Sequence, residues 1–76
     1  MNRYVPIKES LFREDTGGYT SFGISVLDNN GAELIHISDV CLEESFVTEL
    51  CLKCTRAELD PIHILDVIED SLQSVL

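Results

Sequence analysis

The run Val26-Leu27-Asp28-Asn29-Asn30-Gly31-Ala32-Glu33-Leu34-Ile35-His36-Ile37 constrains this chain more tightly than any other. Asn30-Gly31 stands between two stretches in which apolar and polar residues alternate. Asn-Gly is the preferred pair for a two-residue type I′ hairpin, because both loop positions need positive φ. With those two residues as the loop, Val26 lies opposite Ile35 and Ile24 opposite Ile37, so both apolar sets land on one face of the sheet. His36 then points to the other face. Leu34 shares its parity, and an apolar residue there implies that this second face is partly covered.

Upstream, Tyr4 to Phe12 reads as a strand with Val5, Ile7 and Leu11 at even spacing, and Pro6 places it at a sheet edge because proline brings no N–H to a ladder. Gly17-Gly18 reads as the turn into a second strand, Tyr19 to Leu27, with Phe22, Ile24 and Val26 on its core face. After Ser38-Asp39 the period lengthens. Phe46, Val47, Leu50, Cys51 and Cys54 form a helical stripe that ends near Arg56, with Glu43 and Glu44 in the first turn and Leu52 off the stripe. Asp60 is a good N-cap and Pro61 a good first residue for a second helix. Its core side is expected to be Ile64, Leu65, Ile68, Leu72, Val75 and Leu76, with His63, Asp66 and Asp70 facing away. The expected fold is therefore α+β: a three-stranded antiparallel meander followed by two helices on one sheet face, β-β-β-α-α, as one small domain over residues 1–76.

Seventy-six residues bury only roughly 60–65% of the surface the unfolded chain exposes, which leaves room for a single core and no deep cleft. Fourteen acidic against five basic residues give a net charge of -9, which repels nucleic acid and anionic membranes and favours basic partners. No stretch resembles a signal peptide or a spanning helix, so the expected location is cytoplasmic. Cys41, Cys51 and Cys54, an odd number without an export signal, are expected as free thiols.

Over nearly its whole length the chain resembles a family of short bacterial proteins of clostridia-like Gram-positive Firmicutes, described as a domain of unknown function. That family carries a Tyr-Gly-Ile-like strand, an Ile-Ser element, a helix ending in Cys-Asn-Arg, and a final Pro-[Ile/Val]-His-Leu-x-Asp-Val-Val-Glu-Asp signature. Here the corresponding residues are Phe22-Gly23-Ile24, Ile37-Ser38, Cys54-Thr55-Arg56 and Pro61-Ile62-His63-Ile64-Leu65-Asp66-Val67-Ile68-Glu69-Asp70. The chain departs from it at Phe22, at Thr55 and in a longer link around Val40 to Leu42. The resemblance implies a compact bacterial domain and transfers no catalytic residue and no cofactor.

Three kinds of chemistry compete with a solvated surface. His63, Asp66 and Asp70, at i, i+3 and i+7 with Glu69 beside them, offer an imidazole and carboxylates to a divalent metal, but from one helical face, whereas structural sites close with ligands from several elements. Cys51-x-x-Cys54 lacks a second pair and falls within a helix and not at its N-terminus, so buried thiols are expected; a Cys41, Cys51, Cys54 and His63 zinc set is the lesser alternative. No signal places His36 or His63 beside a nucleophile. Leu34, Leu52 and Val67, and Tyr4 with them, fall off the inferred core faces. The reading that follows is a non-enzymatic interaction or regulatory module that binds a protein partner or a second copy of itself. Its expected surface comprises Leu34, Leu52, His63, Asp66, Val67, Glu69 and Asp70, and the alternative is a metal- or small-ligand-binding protein using the His63 cluster.

Overall fold

The computed structural model describes residues 2–74. Strands β1 (Arg3–Arg13), β2 (Gly17–Leu27) and β3 (Glu33–Cys41) form one antiparallel sheet in the order β1-β2-β3. Helix α1 (Glu44–Arg56), a 3₁₀ turn (Pro61–His63) and helix α2 (Ile64–Ser74) follow and pack on one sheet face. This is the expected α+β meander with two helices, and β1 is an edge strand as Pro6 implied.

The hairpin register is the expected one, Ile24 opposite Ile37 and Val26 opposite Ile35, but the loop is longer. Asp28 carbonyl accepts from Gly31 N–H, Asp28 Oδ1 accepts from the N–H groups of Asn30 and Ala32, and only Gly31 takes positive φ. This is a type I turn closed by a left-handed glycine, not a type I′ turn. The extra loop residue is balanced by a bulge that leaves Leu34 without a partner, which is why the register survives and why Leu34 is exposed. At the other hairpin the turn is Glu14 to Thr16, and Gly17 and Gly18 are already the first residues of β2.

The core is Tyr4, Ile24, Val26, Val47, Leu50, Cys51, Cys54, Ile64 and Ile68. Tyr4, expected off the core, is 4% exposed. It is on the helix side because it pairs with Val26, and its hydroxyl donates to Leu59 carbonyl at 2.6 Å. Thr55 Oγ1 accepts from Tyr4 N–H at 3.0 Å and donates to Tyr4 carbonyl at 3.4 Å, fastening the end of α1 to the start of β1. α1 terminates with Glu58 at φ 52: Leu59 N–H reaches Cys54 carbonyl and Glu58 N–H reaches Thr55 carbonyl, the pattern of a Schellman stop.

Asp60 caps the second helical segment by accepting from Ile62 N–H at 3.1 Å, with Pro61 at its first position. The buried stripe of α2 is Ile64 and Ile68, flanked by Val67 and Leu72. Val67 thus belongs to the core rim and not to the outer surface, while Leu65, expected inside, is exposed. The helix is rotated toward i+3, so that Val67 and not Leu65 closes the stripe. Val75 and Leu76 lie outside the described residues.

Between Phe22 and Ile24 of β2, β3 carries two extra residues: Ser38, Asp39 and Val40 stand opposite Gly23 alone, with Asp39 at φ 55. The strand therefore continues past Ser38-Asp39, where a helical period was expected to begin. A Cβ at Gly23 would collide with Ile37 carbonyl and lie 2.8 Å from Glu9 Oε1. Gly23→Ala is expected to lower stability by several kcal/mol, on the order of 3, since backbone has to move. Urea denaturation followed by circular dichroism checks this, and an unchanged midpoint would contradict it.

Candidate functional site

The sheet face away from the helices carries a continuous polar network, and each member follows from strand parity. Glu9 of β1 pairs with Ser21 and reaches diagonally across Gly23 to β3. Glu9 Oε1 accepts from Asp39 N–H at 2.9 Å, and both its oxygens lie within reach of Ser38 hydroxyl, at 3.1 and 2.9 Å. Its side chain is only 14% exposed although nothing covers this face, because β3 bulges toward it.

His36, opposite Ser25, stands between two carboxylates: Nε2 is 3.2 Å from Glu9 Oε2 and Nδ1 is 3.3 Å from Glu33 Oε2. Ser25 hydroxyl donates to Glu33 as well. On the other flank, Ser21 and Tyr19 hydroxyls donate to Asp39, Arg13 guanidinium lies 3.9 Å from it, and that guanidinium stacks over the Tyr19 ring. Ser21 and Ser25 are fully buried by these partners.

The electrostatics follow from the donors. The Asp39 N–H, and after it the imidazole and Ser38, hold Glu9 below the ordinary carboxylate range. Ser25 does the same for Glu33, and Ser21 for Asp39. Hydrogen bonds to Glu9 and Glu33 raise His36 above 6.5. The arrangement thus favours the ionised form of its carboxylates and the protonated form of the imidazole. It supplies no raised carboxyl to act as a general acid, and each serine hydroxyl here donates to a carboxylate and not to the histidine.

The residues singled out in the sequence lie elsewhere. His63 is in the 3₁₀ turn, its N–H bonded to Asp60 carbonyl, and Asp66, Glu69 and Asp70 are on exposed turns of α2. Among the described residues no group of three His, Cys, Asp or Glu side chains is placed to hold a metal ion. Leu52 is exposed on α1 and Leu34 at the β3 bulge, so the expected surface is spread over four elements, β3, α1, the 3₁₀ turn and α2. Cys51 and Cys54 are buried free thiols, and burial pushes Cys51 up to about 12 and raises Cys54, which is the opposite of a redox pair. The network on the open face was missed, although Glu9, Gly23 and Asp39 signal it together: a strand glycine beside an inward-pointing acid marks close backbone approach.

A three-stranded antiparallel meander backed by two helices, with a carboxylate clasp on the free face, defines a small α+β class of domain. The chain matches the family described as "Family of unknown function (DUF6514)" over residues 2–74, and it belongs to that family. No curated protein and no solved structure matches it. Among the described residues no helix is long and apolar enough to cross a membrane.

The linkage signs are opposite for the two partners. His36, raised on folding, contributes stability that is complete below pH 6.5 and is lost as pH rises through its folded value. Glu9, lowered on folding, contributes stability present above pH 4.5 and lost as pH falls through its folded value. The melting temperature of His36→Gln should therefore fall furthest below the native one between pH 4.5 and 6.5, and the two should converge in alkali; a gap that widens above pH 8 would contradict this.

Proposed function

We infer that this chain is a non-enzymatic binding module whose partner is a basic segment of another protein, met by the outer surface of α2 and working in a reducing, cytoplasmic setting. The observation that carries the reading is the exposure of Ile62 at 77% and Leu65 at 64%, two large apolar side chains one helical turn apart. The surrounding sequence is acidic, with exposed Glu58, Asp60, Asp66, Glu69 and Asp70 and no lysine or arginine from Ala57 to Gln73. An apolar pair rimmed by one sign of charge suits an amphipathic basic partner, the apolar contacts giving affinity and the charges steering encounter. His63 and the acidic residues of α2 form the rim in this reading. Exposed Leu52 and Leu34 are additional apolar points on other elements.

Capture from native cell extract with the tagged protein and with an Ile62→Ser/Leu65→Ser variant tests it. Neither side chain is in the core, so the variant should keep its melting temperature, while a basic protein held by the native chain is lost by roughly tenfold or more and also released by salt. Identical retention by both proteins would contradict the reading.

A further inference from the structure

β1 is an edge strand whose outer side is only partly used. Thr55 occupies the outward N–H and carbonyl of Tyr4, which fixes the parity. In an antiparallel pair the outward groups recur every second residue, so the even-numbered residues of β1 turn their backbone away from β2. Pro6, the next in line, brings no donor. Lys8, Ser10 and Phe12 follow with exposed side chains, Phe12 at 73%, although they stand on the helix side of the sheet. The helices therefore leave this stretch of edge open.

Along that stretch the sequence is its own complement. Read antiparallel about Leu11, the run Lys8-Glu9-Ser10-Leu11-Phe12-Arg13-Glu14 sets Lys8 against Glu14, Glu9 against Arg13, Ser10 against Phe12 and Leu11 against itself. From Glu9 to Arg13, within β1, every residue meets one of its own parity, so outward N–H and carbonyl groups meet outward ones and a short ladder can close, with Lys8 beside Glu14, the first turn residue of the other copy. A two-residue slip about Ser10 removes all the charge pairs, and one about Glu9 puts that acid on itself, which is destabilising.

We propose that a second copy of this chain adds to the sheet here, by antiparallel β1–β1 pairing about Leu11, to give a continuous six-stranded sheet across a two-fold axis. A second copy is the occupant because symmetry doubles each charge pair, and opposite-charge cross-strand pairs stabilise a ladder whereas like charges oppose it. Arg13 of the second copy then stands beside Glu9 on the open face, with opposite charge. On the helix side the two Phe12 rings come within diagonal reach of one another. Pro6 falls outside the paired stretch, where its missing N–H does no harm. The net charge of -9 opposes association at long range and the ladder is short, so the dimer dissociates on dilution.

Sedimentation velocity over a range up to millimolar protein is the test. The native chain should pass from monomer to dimer as concentration rises. Ser10→Pro removes an N–H that the β1–β2 ladder does not use, and should stay monomeric with an unchanged circular dichroism spectrum. Lys8→Glu and Glu14→Lys should each weaken the dimer roughly fivefold or more, and the double variant, in which the charges are exchanged, should regain native affinity. A monomer at millimolar concentration, a dimer indifferent to Ser10→Pro, or a double variant as weak as the single ones would overturn the proposal. If Ser10→Pro fails to fold, the charge exchange decides alone.

Discussion

One carboxylate holds the sheet in its observed shape. Glu9 lies across Gly23 and accepts the Asp39 N–H of β3, so a side chain of the first strand reaches over the second to hold the backbone of the third. Three consequences follow from that span. β2 must carry a residue without a Cβ at position 23. β3 must bulge, with Asp39 in the left-handed region. The bulge in turn places Asp39 carboxylate against Ser21 and Tyr19, and the rest of the polar network assembles around it.

The two sheet faces then divide their tasks. The helix side is apolar and is closed by Ile24, Val26, Val47, Ile64 and Tyr4, with Thr55 fastening α1 to the start of β1. The free side meets water with a hydrogen-bonded lattice in which Asp39 and Glu33 accept from the two buried serines and His36 bridges Glu33 to Glu9. Among the described residues no buried side-chain nitrogen or oxygen lacks a partner. A small domain has little apolar surface to spare, and such a lattice lets one face of a sheet remain ordered without a second layer over it.

Much of the fold was legible because periodicity reports it directly. Alternation around Asn30-Gly31 yielded the correct pairing of Val26 with Ile35, and the stripe from Val47 to Cys54 yielded α1. The pairing came out right for an incomplete reason, since a longer loop and a bulge at Leu34 cancel. What stayed hidden depended on long-range geometry. Asp39 to Cys41 reads like a link because its strand partner lies beyond a bulge, and Leu65 reads like core because the rotation of α2 is set by its packing in the shared core and not by its own sequence. Glu9 and His36, 27 residues apart, share no local pattern at all. That His63, Asp66, Glu69 and Asp70 face solvent was legible because helical spacing alone separates them from the core stripe.

The clasp itself is open to direct observation through the amide proton of Asp39, which its acceptor should move as Glu9 titrates. In a pH series of amide spectra that proton should shift with a midpoint below 4.5, the ordinary glutamate value, and the shift should vanish in Glu9→Gln. A midpoint at the ordinary value, or the same titration persisting in Glu9→Gln, would contradict the claim that Glu9 holds the third strand.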